Sequence, residues 1–297
     1  MSAAPISLRA TGRVRRRLLV NRLMELIAML AAAAAITVLV IVIVSVAHKG
    51  ISALNLDFFT KNEPVGFLTS ASGGVLFGIV GSLILVAIAT AIALPLGVLI
   101  ALYMTEFARP LPARILRTAL DVTNGVPSIV IGIFIFTLIV IPSGGRQSAL
   151  AGSVALSIIM LPLIARASQE VLLLVPRSLR EASLALGVSR WRTVLSIVLP
   201  AARGGIITGT TLAIARAAGE TAPLLFTSSL ASATTTSANP LHALYSLTEV
   251  IFIYFDQPDP VKVQKAWGAA FLLMMFVLVT SLTAKMLLAR ARKKLGT

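Results

Sequence analysis

Cysteine is missing from all 297 residues, which excludes disulfides, thiolate metal sites and cysteine nucleophiles. Histidine is nearly missing. His48 and His242 stand far apart without neighbouring ligand spacing, so no metal site is read from the sequence. No G-x-x-x-x-G-K-[ST] run occurs, so if ATP drives this protein, another subunit hydrolyses it. Charge is also scarce, at 12% of residues against 57% hydrophobic and a mean hydropathy of +0.95, which excludes an ordinary soluble domain. What charge there is has one dominant sign, 26 Lys and Arg against 11 Asp and Glu. A formal charge of +15 would suggest nucleic acid in a soluble protein, but in a membrane protein the question is where the basic residues lie.

Residues 1–25 form a basic arm, followed by an uncharged run at 26–47, long enough to cross a ~30 Å hydrocarbon core at ~1.5 Å per residue. Ser45-Val46-Ala47 has the small-x-small form of a cleavage site, but the run exceeds the usual signal core and reads as an uncleaved anchor. Five further spans are expected at 75–104, 122–141, 148–165, 204–229 and 267–284, giving an all-α, six-span polytopic protein. Pro95 predicts a kink or tilt in the second span. Gly74, Gly78 and Gly81–Ser82 supply small residues at helical spacing there, suited to close helix packing rather than phosphate cradling. The segment 241–255 is apolar but holds His242, Glu249 and Tyr254, and reads as an interfacial or re-entrant helix rather than a seventh span.

Charge sets the expected topology. Twenty of the 26 basic residues fall on one side, in the N-terminal arm, the loop at Arg109–Arg114–Arg117, the stretch 166–203 and the C-terminal tail. The opposite side has only Lys49, Lys61, Arg146, Lys262 and Lys265. The positive-inside rule then puts both termini and the 166–203 loop in the cytoplasm, with the tail 290–297 an anchor near anionic lipid.

Within that loop, 178–200 reads as two short helices joined by a tight turn, outside the membrane and suited to docking a soluble partner. Ser178 and Glu181 have capping-box spacing, Gly187 sits where a left-handed residue closes a helix, Ser189 can cap the next, and Pro200 ends or kinks it. Glu181-Ala182-Ser183, Gly187 and Ile197-x-Leu199-Pro200 resemble the coupling loop of type I ABC importer permeases. In that family the loop inserts into a groove of the ATPase subunit. Ser183 stands where alanine is commoner, a small-for-small change.

The fifth span holds the only charges well inside any span, Arg216 and Glu220, one turn apart. On a continuous helix, Gly209, Ala213, Arg216, Glu220, Pro223 and Thr227 form one stripe of small and polar positions, which should face protein or water. Burying even a paired charge costs several kcal/mol and an apolar replacement is often as stable, so a substrate route explains the pair better than stability does. Guanidinium offers a planar donor fork that suits an oxyanion, and Glu220 can hold it while the site is empty or accept an O–H from protonated phosphate. Asn124, Gly125, Pro127 and Ser128 are expected at the start of the third span, either as a weak anion site or as a kinked helix packing on its neighbours.

The run from Ala215 to Phe226, ARAAGETAPLLF, is similar to the signature of the PstA family, permeases of phosphate-specific ABC importers. Gly125-Val-Pro-Ser-Ile-Val-x-Gly132 is similar to a motif shared by PstA and PstC permeases. The resemblance implies a type I permease domain over 68–289, not itself an enzyme, in a bacterial cytoplasmic (inner) membrane. It implies a PstC-like second permease, two PstB-like ATPases that use ATP and Mg, and a PstS-like external phosphate-binding protein. It also implies a route past Arg216, with Glu220, Thr221, Asn124 and Ser128 as further candidates, and coupling through Glu181, Ala182, Ser183, Gly187 and Pro200. A sulfate or molybdate permease would share the coupling loop without needing the Arg216–Glu220–Pro223 pattern, and an ATP-independent anion transporter would need no coupling loop.

Overall fold

The computed structural model describes residues 12–63, 73–229 and 235–294, and every regular element among them is helical. The chain divides into two units, 1–48 and 49–297. The first is occupied by α1 (Arg13–Gly50), which begins thirteen residues before the expected span. Neither proline nor glycine interrupts it before Gly50, and the run Ala31–Ala35 is the strongest helix-forming composition available. Its apolar side chains from Leu18 to Val44 are exposed, a surface suited to lipid.

The second unit opens with a 3-10 turn (Ile51–Ala53) and α2 (Leu56–Thr60), whose cap Asn55 accepts the Phe58 N–H at 2.7 Å. Then come α3 (Leu76–Leu102), continued by a π turn at Tyr103–Phe107, and α4 (Pro110–Gly125). Next are α5 (Ser128–Ile135) with a π turn at Phe136–Val140, and α6 (Ala149–Leu174). After these lie α7 (Arg177–Ala185), α8 (Arg190–Thr193), a π turn at Val194–Val198, and α9 (Leu199–Ala218). The unit ends with α10 (Ala222–Thr227), α11 (Leu247–Phe255) and α12 (Pro260–Lys294).

Among the described residues five helices are long and apolar enough to cross a membrane, and α4 with α5 makes a sixth crossing if that pair, bent by 98°, counts as one. The expected straight span 122–141 is therefore corrected. Its first four residues end α4, and Val126-Pro127 forms the corner because a residue before proline is driven out of the helical region. Pro95 lies within an unbroken α3. The segment around α11 does not form a seventh span, as expected, and only its second half is helical.

The core is built on α6, which packs along α3 and α9. Leu85, Ala89 and Ala93 of α3 meet Leu156, Met160 and Ile164 of α6 and Ala213 and Ala217 of α9, all essentially inaccessible. In lipid, apolar burial does not drive helices together, so close backbone approach through small residues supplies the packing. The small residues of α3 serve this purpose. A Cβ at Gly81 would overlap the Tyr245 carbonyl, and Ser82 Oγ accepts the Leu247 N–H at 2.7 Å. These contacts seat α11 against the first turns of α3 and fix its height next to the end of α9.

Candidate functional site

Two places carry the residues singled out by the sequence. The first is the break between α9 and α10. The fifth span is not one helix over 204–229, so the expected six-residue stripe does not run on one face to its end. The helix stops at Ala218, and the Gly219 and Glu220 N–H groups turn back to the Arg216 and Ala217 carbonyls. Pro223 is the physical reason. In a continuous helix its ring would meet the Gly219 carbonyl and supply no donor, whereas in the first turn of a new helix both defects disappear. Pro223 accordingly stands there in α10, behind Thr221 as the cap residue.

Arg216 occupies the last turn of α9, where a cation is favoured by the helix dipole. Its Nε lies 3.8 Å from Glu220 Oε1, within ion-pair range and beyond hydrogen-bond range. The arginine side chain is 51% exposed and the glutamate 17%. Buried Ala213, Ala217 and Ala218 back it, so the guanidinium projects away from the core of this chain.

The break is held by a residue that sequence reasoning missed. Thr248, in the first turn of α11, donates its hydroxyl to the Glu220 carbonyl at 2.8 Å. Thr248 is itself placed by a capping box. Ser246 Oγ accepts the Glu249 N–H, Glu249 Oε2 accepts the Ser246 N–H at 2.7 Å, and the Ser246 and Thr248 hydroxyls lie 2.8 Å apart. Glu249 is fully buried, and burial pushes its carboxyl up to about 7 against the lowering effect of the Ser246 hydrogen bonds. The S-x-x-E pattern at Ser246 was legible as a capping signal, but nothing local pointed it at Glu220 twenty-six residues earlier.

Thr221 belongs to the same break. Ser128 opens α5, which packs on α10 with Gly132 against the Pro223 backbone. Asn124 does not join them. It sits exposed on α4, across the bend from Ser128. The expected grouping of Asn124 with Ser128 in one helix start is thus divided by the corner at Pro127.

The second place is the stretch 178–200. It forms two helices and a turn, with three local corrections. First, α7 starts at Arg177 with Pro176 as its cap residue, so Ser178 already lies inside the helix and no capping box with Glu181 forms. Second, Ser189 is the cap residue of α8, but its carbonyl rather than its hydroxyl receives Thr193, from N–H at 3.0 Å and Oγ1 at 3.2 Å. Third, Pro200 does not end the helix, because α8, the π turn and α9 run continuously from Arg190 to Ala218. The wider turn lets the Leu199 N–H reach the Val194 carbonyl, making room just before the residue without a donor.

Gly187 meets expectation, with φ +75°. The Val188 N–H bonds the Ser183 carbonyl at 3.2 Å and the Gly187 N–H bonds Leu184 at 3.0 Å, the paired contacts of a Schellman ending. Ser183 is buried, and its hydroxyl lies 2.9 Å from Thr193 Oγ1, pinning α7 to α8 across the turn. That bond gives serine a purpose where alanine would be silent. Glu181 and Ala182 are exposed, beside exposed Leu179, Leu184, Leu186 and Trp191. Sequence reasoning also missed Arg180 and Glu106, which pair at 2.9 Å beneath this surface. They lie 74 residues apart, a separation that no local pattern reveals.

Comparisons with known proteins concern the chain as a whole. The family described as "Binding-protein-dependent transport system inner membrane component" matches residues 93–293. The chain is 38% identical over 277 residues to the phosphate transport system permease protein PstA of Xylella fastidiosa (strain 9a5c), covering 93% of this chain and 95% of that one. It is 36% identical over 267 residues to the PstA protein of Haemophilus influenzae, covering 90% and 93%. Among solved structures, a bacterial alginate ABC transporter in complex with alginate pentasaccharide-bound periplasmic protein aligns over 95% of this chain and 99% of its own, at 12% identity and a TM-score of 0.66. An inward-facing MetNI methionine ABC transporter aligns over 73% and 94%, at 20% identity and a TM-score of 0.56. These two likenesses concern the fold.

Proposed function

The chain belongs to the family of binding-protein-dependent transport inner membrane components, among the PstA phosphate permeases, and from that premise we propose how its two places work. It is a multi-pass permease subunit of a phosphate ABC importer. The sulfate and molybdate reading and the ATP-independent reading are not favoured by its relatives.

Both termini and the 178–200 loop face the cytoplasm, where the basic residues concentrate. A second permease of the PstC kind completes the route, since one six-crossing chain can enclose only half of it. Two PstB-like ATPases hydrolyse ATP with Mg, and a PstS-like protein delivers phosphate from outside. Exposed Glu181, with the exposed side chains of Leu179, Leu184 and Leu186 on the same short segment, forms the surface on which an ATPase seats. Its movement tilts α7 and α8, and the unbroken rod from Arg190 to Ala218 carries that motion to Arg216. The route alternates between outward and inward openings as the rod moves.

One observation carries the assignment of the route. Among the described residues no protein group hydrogen-bonds the Arg216 guanidinium, which is half exposed and only loosely paired. A fork with free donors in this position suits a tetrahedral oxyanion, and the loose pair with Glu220 keeps it oriented between ions. Thr221 caps the short helix that follows the pair, and Ser128 opens α5, which packs on that helix. An arginine with every donor occupied would hold structure instead of cargo.

The test is uptake of labelled phosphate by cells lacking the native permease and complemented with wild type or Arg216→Gln, with sulfate as control and membrane levels checked. The assignment expects uptake to vanish in Arg216→Gln while the complex still assembles. Normal uptake in that variant would remove Arg216 from the route.

A further inference from the structure

Arg180 lies on the first turns of α7, directly before Glu181, and it is the most heavily bonded side chain of the coupling region. Its Nε and Nη2 donate to Glu106 Oε1 at 3.2 and 2.9 Å. Nη1 donates to the Val175 carbonyl at 2.6 Å and Nη2 also donates to the Leu172 carbonyl at 2.9 Å. Glu106 sits in the π turn that ends α3, and Leu172 and Val175 end α6. One guanidinium therefore joins three elements: the exposed helix α7, the end of α3 and the end of α6. The last carbonyls of a helix lack intrahelical donors, and a cation is favoured there, so α6 presents a ready acceptor for the fork.

Burial distinguishes this junction from a surface ion pair. The side chains of Arg180 and Glu106 are 19% and 8% exposed. Buried Ser183, one turn on along α7, binds Thr193, so α7 has a second fixed point on α8. The two attachments lead to different places. Ser183 leads through α8 and the π turn into α9 and the route, whereas Arg180 leads into α3 and α6, the paired helices of the core.

We propose that the Arg180–Glu106 pair is the strut through which movement of the 178–200 loop reaches α3 and α6, so that these helices turn together with α9. This rests on the reading of 178–200 as the ATPase-facing loop. Without the strut, α7 could pivot on its Ser183–Thr193 contact, and a docked ATPase would move α9 alone. Arg180 and Glu106 are positioning residues in this scheme. Neither contacts the transported ion.

The experiment uses the full importer reconstituted in proteoliposomes, with the binding protein and phosphate on the outside and ATP on the other face. Arg180→Lys keeps the charge but loses the fork that reaches the α6 carbonyls, and Glu106→Gln keeps an acceptor but removes the opposing charge. The proposal expects both variants to retain a wild-type amount of ATPase subunit and to hydrolyse ATP. Phosphate moved per ATP should fall by about fivefold or more, a ratio that damage to folding alone would leave unchanged. A wild-type ratio in both variants, or uptake lost only in step with lost complex, would overturn the strut. Glu181→Lys serves as the docking control and should release the ATPase subunit itself. If Glu181→Lys keeps the subunit bound at full strength, the docking surface is misassigned, and that failure is visible apart from the behaviour of Arg180→Lys.

Discussion

The protein contains two arginine–glutamate pairs that look alike in composition and differ in nearly every physical respect. Arg216 and Glu220 are four residues apart, 3.8 Å at closest approach, and the arginine is half exposed. Arg180 and Glu106 are 74 residues apart, 2.9 Å at closest approach, and both are largely buried. The first guanidinium has donors to spare, whereas the second spends four donor contacts on one carboxylate and two helix-end carbonyls. A cation that must take and release an ion needs the first arrangement, because a fully satisfied fork gains little from a new ligand. A cation that must hold three helices in register needs the second. On the proposed reading, the same residue types serve cargo in one place and geometry in the other.

The comparison is tested most sharply by truncation. Removing one partner of a buried pair strands the other charge and costs about 3–5 kcal/mol, whereas a surface substitution without special contacts usually stays within about 0.5 kcal/mol. Arg180→Ala should therefore lower the unfolding temperature of the detergent-solubilised complex substantially, and Arg216→Ala should leave it nearly unchanged while abolishing uptake. Equal destabilisation by the two would erase the distinction between them.

The next largest effect concerns the support beneath the loose pair. Glu249 in the fold has its carboxyl pushed up to about 7 by burial, from an unfolded value of 4.5. Between those values the folded chain holds a proton that the unfolded chain has released, so stability falls as pH rises through that interval and levels off above it. The loss is on the order of 3 kcal/mol, scaled from about 1.4 kcal/mol per unit. Glu249→Gln should flatten this part of the profile, seen as a smaller difference between wild-type and variant unfolding temperatures at pH 5 than at pH 8. A parallel pair of profiles would show that Glu249 does not titrate in that interval.

How far the sequence revealed these places follows from the range of the interactions. The coupling turn was legible because its signals are local: a glycine six residues after Glu181 and small residues on either side of the turn. Even there, three local signals were ambiguous, Ser189 among them because its hydroxyl makes no cap. Ser178 and Pro200 carry proper capping and breaking chemistry, but Pro176 had already set the helix start and a π turn absorbed Pro200. The Arg216–Glu220 pair was legible for the same reason, being one turn apart. The break beside it was half legible, since a proline at 223 deprives the Gly219 carbonyl of its donor in any helix, whereas nothing local says that it starts a new one. The contacts that fix both places were not legible. Thr248 to Glu220 and Arg180 to Glu106 join residues 28 and 74 apart, and only the packing of α11 on α3 and the reach of the Arg180 side chain to the ends of α3 and α6 bring them together. The membrane-crossing architecture came through for the opposite reason, because the five long helices among the described residues each carry an apolar run that announces itself by length alone.

A smaller effect separates the backbone of the loose site from its charges. Thr248→Val keeps the shape of the side chain but removes the donor to the Glu220 carbonyl, and losing a hydrogen bond at this part-buried acceptor costs about 0.5–1.5 kcal/mol. Uptake should slow severalfold with the complex still assembled, and Thr248→Ser should restore it by returning the hydroxyl. If valine and serine behave alike, the break is held by packing and the pair needs no help from α11.

The smallest effect belongs to the turn of the coupling loop. Gly187 holds φ +75°, a conformation that costs a residue with a Cβ about 1–2 kcal/mol. No atom lies within 4 Å of where that Cβ would sit, so steric overlap adds nothing and the strain acts alone. Gly187→Ala should therefore destabilise the complex only slightly, and its main consequence should appear in ATPase retention, because Leu186 and Glu181 present themselves through this turn. Weakened retention with near-normal unfolding would show that the turn serves docking, as the tight Arg180 junction beneath it serves transmission. Unchanged retention would mean that the exposed surface tolerates a re-set turn, and docking would then depend on α7 alone, held in place by the bonds of Arg180 to Glu106, Leu172 and Val175.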